Sequence, residues 1–260
     1  MRSASRWLAR LPMRPCLAAL FALLSVPVGA SAETLRFYGY ATHLDTGKYL
    51  YTELHEQTLE SGQVQTATIS YFDPSGRLMA KKSLDYRRNR TIPLFRIDHP
   101  DQGYVEALRS VNGESGIELL KVTRDKGEQI KSVSMPKGAV AADSGFNHLI
   151  QDNLPRLLAG ETVHFSLVVA GNLDAYQFRA KKIGDDTFDG APAVVLRVEP
   201  DSLLRLIIDP LDLLYDPATR RLLEYRGVSN ILDPVSGKVY KKARISYTAK
   251  PPAEARAPGL

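Results

Sequence analysis

Apolar and polar residues alternate along most of this chain, and that alternation is the feature that most narrows its possible folds. In one segment the apolar residues Ala67, Ile69 and Tyr71 are separated by single Thr and Ser residues. Successive side chains of a β-strand point to opposite faces, so such a run buries one face and exposes the other. This is typical of antiparallel sheet rather than of buried parallel strands. The same alternation recurs in the segments 78–86, 162–169, 176–180 and 194–198.

Turn-forming residues separate these runs at the spacing of β-hairpins. Proline fixes φ, glycine and asparagine accept positive φ, and an Asp side chain bonds the backbone of a turn. Counting the runs between turns predicts about ten to twelve strands. The turn signals are Asp73-Pro74-Ser75-Gly76, Asn112-Gly113, Asp125-Lys126-Gly127, Asp216-Pro217 and Asp233-Pro234.

One segment has helical periodicity instead, with apolar residues at i, i+3 and i+4. Asp143 or Ser144 is expected to cap its start, Gly160 lies just past its end, and Pro155 predicts a kink or a split. The apolar positions are Phe146, Leu149, Ile150, Leu154, Leu157 and Leu158. We therefore predict a mainly β fold, namely a single curved antiparallel sheet or half-open β-barrel with one covering amphipathic helix. In the stretch 203–216, apolar residues occupy both odd and even positions, which predicts either a strand that is buried on both faces or a partly helical segment.

The first 32 residues have the three parts of a cleavable secretory signal. Four arginines precede an apolar run from Cys16 to Val28, and Ala30-Ser31-Ala32 supplies small residues for cleavage after Ala32. The apolar run is shorter than the ~20 residues of a membrane-spanning helix, so no transmembrane segment is expected in the mature protein. We expect a periplasmic protein with three parts: a signal peptide at 1–32, a β-rich domain at 33–248 and a disordered, proline-rich tail at 249–260.

The signal segment also carries most of the excess positive charge. It holds four of the 34 Lys and Arg residues and no acid, which leaves 30 basic against 29 acidic residues in the mature chain. A nearly neutral chain gives no reason to expect nucleic-acid binding. The single cysteine, Cys16, also lies in this segment, so the mature domain is expected to fold without disulfides.

No motif in the chain predicts catalysis, a cofactor or a metal. The segment Gly113-Glu114-Ser115-Gly116 begins like the Gly-x-Ser-x-Gly motif of a nucleophile elbow, but Ile117 occupies the position of the second glycine. Asp209, Asp212 and Asp216 are clustered, and Asp98 and Asp101 flank His99, but sequence spacing does not establish the paired carboxylates of an acid/base site, and the prolines after Asp209 and Asp216 indicate turns. We therefore expect a protein that is not an enzyme. The histidines His43, His55, His99, His148 and His164 are too dispersed for metal-ligand spacing.

Two lysines are in phase with apolar residues of their segments. Lys82 falls on the face of Leu78, Ala80, Leu84 and Tyr86, and Lys241 falls on the face of Val239, Ala243 and Ile245. An inward lysine is often an edge-strand feature or a rim residue whose ammonium reaches water. The alternative is a cation at the mouth of an apolar cavity, where it meets an acidic head group.

The closing segments 214–227 (LYDPATRRLLEYRG) and 238–247 (KVYKKARISY) resemble the last strands of uncharacterised proteobacterial periplasmic proteins. Together with the signal peptide, the long antiparallel meander and the single helix, they resemble half-barrels of the lipoprotein-carrier (LolA/LolB-like) type. The resemblance covers most of residues 34–248 in pattern. It implies a curved sheet whose concave face holds acyl chains under a helical lid.

These observations lead to three hypotheses about function. The first is a non-catalytic periplasmic carrier of a lipid or other amphiphile. The second is an envelope scaffold that docks a protein partner through a strand edge or its basic pairs, and a hydrolase is the third. For the carrier, the expected ligand-lining residues are Phe146, Leu149, Ile150, Leu154, Leu157, Phe165, Leu167, Tyr176, Phe178, Lys82 and Lys241.

Overall fold

The computed structural model describes residues 32–113, 116–202 and 209–260. Within them, the first half of the chain forms β1 (Glu33–His43), β2 (Tyr49–Glu60), β3 (Gln63–Phe72), β4 (Leu78–Asp85), β5 (Leu94–His99), β6 (Tyr104–Val111), β7 (Ile117–Thr123) and β8 (Gly127–Val133). The second half forms β9 (Val140–Ala142), α1 (Gly145–Leu158), β10 (Val163–Val169), β11 (Asp174–Phe188), β12 (Ala191–Pro200), β13 (Leu211–Tyr215), β14 (Leu222–Gly227) and β15 (Ala243–Ser246). Two 3₁₀ turns cover Pro100–Gln102 and Ala170–Asn172.

All fifteen described strands belong to one sheet. Strand β1 lies at its middle between β2 and β15, and the strands follow in order to β8 on one side and β9 on the other. Every neighbouring pair is antiparallel except β9 with β10. The sheet is open, because its two edge strands β8 and β9 are not neighbours in the hydrogen-bonded order. The predicted mainly β fold with an open antiparallel sheet and one helix is confirmed.

The strand count of fifteen is higher than the predicted ten to twelve, partly because two tight hairpins were not recognised in the sequence. The pairs Ser61-Gly62 and Asp189-Gly190 each join two directly paired strands. All four residues have positive φ, between 49° and 80°. Such two-residue loops are of the type I′ class, in which both central residues adopt positive φ and whose twist matches that of the flanking strands.

Two apolar clusters cover the concave face of the sheet. One joins buried residues of β2 to β7 with Val140, Val168 and Ile231, and the other packs α1 against β10 to β13. Register shifts interrupt the pairing at several points, among them Ala41/Thr42 in β1 and Lys182/Gly184 in β11. Bulges of this kind bend and twist strands, which lets a long sheet curve around its own interior.

The helix α1 runs from Gly145 to Leu158 without a break, so Pro155 does not split it. Pro155 lies in the last turn, where the Ala159 amide still donates to the Pro155 carbonyl oxygen at 3.0 Å. Ser144 occupies the N-cap position but makes no side-chain cap bond, and Gly160 follows the end of the helix with φ of 86°. None of the helices among the described residues is long and apolar enough to cross a membrane.

Two sequence-based expectations concern residues outside the described ones. The first concerns residues 1–31 of the predicted signal peptide, and the second concerns residues 203–208 of the apolar stretch 203–216. The described remainder of that stretch contains β13, in which Leu213 packs in the cluster beneath α1 and Leu214 packs with Leu223 in a separate cluster. Apolar residues at both parities here therefore correspond to a strand that is buried on both faces.

The segment 249–260 packs against β1 and β2, which differs from the disordered tail that the sequence predicts. Ala255 is 8% exposed and lies with Tyr40 and Tyr49 in a small apolar cluster. The Arg256 amide donates to Thr52 Oγ1 at 3.3 Å, and the Tyr38 hydroxyl donates to the Pro258 carbonyl oxygen at 2.8 Å. Composition alone misses this, because three tyrosines on the outer face of the strands supply the apolar surface that a proline-rich segment lacks.

We expect Ala255→Asp to release this segment, because the substitution places a charge between Tyr40 and Tyr49. Hydrogen exchange at the Arg256 amide should accelerate, while exchange in β1 and β2 should stay slow. Ala253→Asp is the matched control, because Ala253 is exposed. Equal exchange at Arg256 in both variants would show that the tyrosine cluster does not hold the segment.

Candidate functional site

The concave side of the sheet encloses a cavity of about 1400 Å³. Its wall combines apolar side chains from β1 to β5 with others from β10 to β14 and the N-terminal half of α1. Pockets for drug-sized ligands usually measure roughly 300–1,000 Å³, so this cavity has room for a larger molecule. Leu35, Gly62 and Gln63 are exposed wall residues at one opening of the cavity, which we call the rim, and Asn172, Val228 and Val239 are exposed wall residues elsewhere.

Strand register arranges the inward side chains in rows across the sheet. One row, which we call the apolar row, consists of directly paired, buried residues from five neighbouring strands, and nearly all of its surface is carbon. Its members are Ala67, Leu84, Phe95, Leu108 and Leu119. Ala67 and Leu84 come from segments that alternate in the sequence, and the hairpin register places the residues of the other three strands beside them.

The neighbouring row lies two residues along each strand, farther from the rim, and contains four ionisable residues. We call it the charged row, and it spans β1 to β7. Its members, in pairing order, are Phe37, His55, Ile69, Lys82, Ile97, Glu106 and Lys121. All of them except Ile97 line the cavity. Of the apolar row, Ala67 and Phe95 line the cavity, so a ligand meets the ionisable groups of the charged row beside these apolar side chains.

Lys82 is buried and paired with Asp143, which lies between β9 and α1. The Lys82 Nζ is 2.8 Å from both Asp143 carboxylate oxygens, and the two side chains are 5% and 6% exposed. The backbone amide and the hydroxyl of Ser144 also donate to Asp143 Oδ1, and Asn230 Nδ2 donates to Oδ2 at 3.3 Å. The ammonium is thus neutralised and held, so it is a poor candidate for binding a head group directly.

Glu106 and Lys121 face each other across β6 and β7 and have different partners. The Tyr104 hydroxyl donates to Glu106 Oε1 at 2.5 Å, and burial, with the Asp143 charge nearby, raises the pKa of Glu106 above its ordinary value. Lys121 Nζ donates to the Gly171 carbonyl oxygen at 2.7 Å and lies 5.8 Å from the centre of the Tyr104 ring. A Cβ at Gly171 would lie 2.3 Å from Glu106 Oε1, so any larger residue at this position would displace the Glu106 carboxyl group.

A second polar group lies at the β1–β2 end of the charged row. His55 Nε2 is 2.8 Å from Glu53 Oε2, and the Tyr247 hydroxyl donates to the same oxygen at 3.2 Å. Phe37 stacks on the His55 ring with the ring centres 4.5 Å apart. Burial and the Glu53 charge raise the pKa of Tyr247 well above its ordinary value. Glu53 and His55 are both less than 10% exposed, so this group is a closed, internally bonded part of the wall.

His99 is 1% exposed and follows Phe95 and Ile97 in the inward phase of β5. The ring hydrogen-bonds to the Asn230 backbone, while Nε2 is a buried side-chain atom without a hydrogen-bond partner. Burial, together with the nearby Lys82 charge, lowers the pKa of His99 from 6.5 to about 4. The folded protein therefore holds this ring neutral.

The structure separates the predicted ligand-lining residues into three sets. Phe146, Leu167, Phe178 and Lys82 line the cavity. Leu149, Ile150, Leu154, Leu157 and Phe165 are at most 3% exposed and form the filled cluster beneath α1, not cavity wall. Tyr176 and Lys241 are not wall residues. Tyr176 is half-buried and accepts a hydrogen bond from Asn172, and Lys241 is exposed in the bend before β15.

Sequence reasoning missed Lys121, Glu106 and Asp143. The sequence does indicate Lys121, because it lies two residues after Leu119 and four after Ile117 and therefore on the same face of β7. The same argument identifies Lys82 as inward-facing. Glu106 likewise shares a phase with Leu108. Asp143 gives no such signal, because its partner lies 61 residues away in the chain and the contact exists only after folding.

The arrangement offers binding chemistry more clearly than catalytic chemistry. Within the described residues, no three His, Cys, Asp or Glu side chains converge in a group able to hold a metal ion. The described wall presents aromatic and aliphatic side chains with a few anchored charges. Such a surface is suited to a molecule with an apolar body and one polar end.

Comparisons with known proteins give little independent information. No protein-family model matches the chain, and no curated protein matches it. A similar solved structure is the crystal structure of a beta-barrel-like protein of domain of unknown function DUF1849 from Brucella abortus. It is 8% identical, with a TM-score of 0.36, over 82% of this chain and 95% of that chain. The site is therefore argued from the residues of this chain.

We expect Asp143→Asn to destabilise the fold by about 3–5 kcal/mol, because it leaves the buried Lys82 ammonium without a counter-charge. The measurement is the free energy of unfolding in urea. Asp45→Asn, which removes an exposed ion pair with Lys242, is the matched control and should change that free energy little. Similar small effects in both variants would contradict the role assigned to the buried pair.

We expect the neutral state of His99 to make the protein sensitive to acid. The pKa of His99 is about 4 in the folded protein and 6.5 in the unfolded chain. The contribution of the neutral ring to the free energy of unfolding is therefore complete above pH 6.5 and is lost as the pH falls towards 4. The maximum loss is about 3 kcal/mol. His99→Phe should flatten the fall in unfolding free energy over this range, whereas His164→Phe, at an exposed histidine, should not. Parallel pH curves for the wild type and His99→Phe would refute the assignment.

Proposed function

We propose that this chain is a non-catalytic binding protein that carries a lipid or other amphiphile in the cavity. The observation that carries the proposal is the cavity itself, about 1400 Å³ in a single described domain and lined mostly by apolar side chains. Protein interiors normally fill to the density of organic crystals, so a space of this size is an unusual feature. A bound apolar molecule supplies the contacts that such a wall otherwise lacks.

The length of the cavity wall fits an extended chain. Along β3, the wall residues Val64, Ala67, Ile69 and Tyr71 lead inwards from the rim. At a strand rise of ~3.3 Å per residue, this wall is roughly 23 Å long. That length is comparable to an extended long-chain acyl group. Ile69, which belongs to the charged row, lies between Ala67 and Tyr71 on this wall, so the ionisable groups lie part-way along it.

We further propose that the protein works in the bacterial periplasm. The support is the signal-like composition of residues 1–32, together with a cysteine-free mature chain. The resemblance to lipoprotein-carrier half-barrels supports the same location and an acyl-chain cargo. The filled cluster beneath α1 modifies that picture, because only the N-terminal half of the helix borders the cavity.

A scaffold that docks a protein partner along a sheet edge is the second candidate. The edge strand β8 supports it, because that strand has a pairing partner on one side only. However, β8 carries exposed Glu128 and Lys131, and charged residues on an edge strand discourage strand addition. The cavity therefore remains the stronger basis for a function.

We expect native mass spectrometry of protein purified from the periplasm to show a bound amphiphile, which lipid extraction would identify. Leu167→Trp should reduce the bound fraction strongly, because the larger side chain occupies cavity volume. Gln177→Trp is the matched control, because Gln177 is exposed on the adjacent strand. An apo mass for the wild type, or equal occupancy in both variants, would count against the carrier and direct the search to a protein partner.

A further inference from the structure

We propose that Lys121 is the anion-binding residue of the cavity, so that the ligand is an acidic amphiphile with a carboxylate or phosphate head. This inference rests on the proposed binding function and specifies the chemistry of its ligand. It also moves the head-group contact away from Lys82 and Lys241, the two lysines that the sequence singles out.

The first argument is the state of the three lysines. Lys82 is held by both oxygens of Asp143, and Lys241 is exposed outside the cavity. Lys121 lines the cavity and is half-buried, its hydrogen-bond acceptor is a backbone carbonyl oxygen, and the Tyr104 ring and the Glu106 carboxyl group lie nearby. An ammonium has three N–H donors, and the Gly171 carbonyl takes one of them. A ligand oxygen is the natural acceptor for the others.

The second argument is the environment of the opposite residue. Glu106 is paired directly with Lys121 in the register, yet its bonding partner is the Tyr104 hydroxyl. Burial raises the pKa of Glu106 above its ordinary value. Lys121 Nζ donates to the Gly171 carbonyl oxygen rather than to the Glu106 carboxyl group, so this carboxyl group does not hold the ammonium by a hydrogen bond.

The third argument is the position of Lys121 in the layers of the wall. It lies in the charged row, whose members except Ile97 line the cavity, and Ala67 and Phe95 of the apolar row line the cavity as well. An amphiphile whose acidic head lies at Lys121 can therefore place its chain against these apolar wall residues. A partly desolvated cation of this kind binds an oxyanion through charge-assisted hydrogen bonds, which are about twice as strong as neutral ones.

The test compares ligands that share one chain and differ in the head: oleic acid, oleoyl lysophosphatidic acid and oleyl alcohol. Each displaces the neutral apolar dye 1-N-phenylnaphthylamine from the wild-type protein, and the displacement curve gives its affinity. We expect one or both acids to bind at least about tenfold more tightly than the alcohol. The two acids distinguish a carboxylate from a phosphate ligand.

Lys121→Met should remove that preference, by weakening the binding of the preferred acid about tenfold to a hundredfold while alcohol and dye binding stay unchanged. Lys121→Arg should retain it. Lys131→Met, which removes an exposed lysine of β8 paired with Asp174, is the control and should behave as the wild type. If Lys121→Met does not fold, Lys121→Gln replaces it and should lose the same preference.

Two other outcomes have separate meanings. Equal affinity for acids and alcohol, or a preference that survives Lys121→Met, would overturn the inference about Lys121 while the cavity remains a lipid site. Failure of the dye and all three lipids to bind would overturn the proposed function itself.

Discussion

The buried ion pair between Lys82 and Asp143 is the interaction on which the interior depends. The edge strands β8 and β9 do not pair, so strand pairing leaves the curved sheet open, although the Ala142 amide in β9 donates to the Thr91 carbonyl oxygen between β4 and β5. Lys82 in β4 bonds the residue that joins β9 to α1, and Asn230, from the segment between β14 and β15, bonds the same carboxylate. Three distant parts of the chain therefore meet at one carboxylate. Removing either charge leaves the other buried, which is far costlier than losing a surface pair.

Each ionisable side chain of the charged row has a bonding partner: Glu53 for His55, Asp143 for Lys82, Tyr104 for Glu106 and the Gly171 carbonyl for Lys121. Two of these contacts join the first half of the chain to the second, because Lys82 and Lys121 lie in β4 and β7, whereas Asp143 and Gly171 follow β9 and β10. On the other wall, α1 packs its own apolar residues into the sheet. The space between the two walls is what remains.

Sequence periodicity could predict the faces of the strands but not what occupies the space between them. Lys82 was identified as inward by its phase with Leu84, and the same reasoning applied to Ile117, Leu119 and Lys121 would have found the third lysine. The helix was located correctly to within a residue or two, yet an apolar stripe does not say whether its residues face a cavity or a packed core. That depends on which strands lie opposite, and Leu149 and Leu154 face β10 to β13 at close range. The partner of Asp143 also depends on the closed fold.

The position of Phe146 shows where the filled part of the interior ends. Its ring stacks on Phe165 with centres 5.5 Å apart, and Phe165 stacks on Phe178 at 6.1 Å. Phe165 belongs to the filled cluster, whereas Phe146 and Phe178 also form cavity wall. The three rings thus form a boundary that is packed on one side and open on the other. Because α1 starts beside Asp143, the ion pair that ties the halves together also fixes this boundary, and with it the width of the cavity.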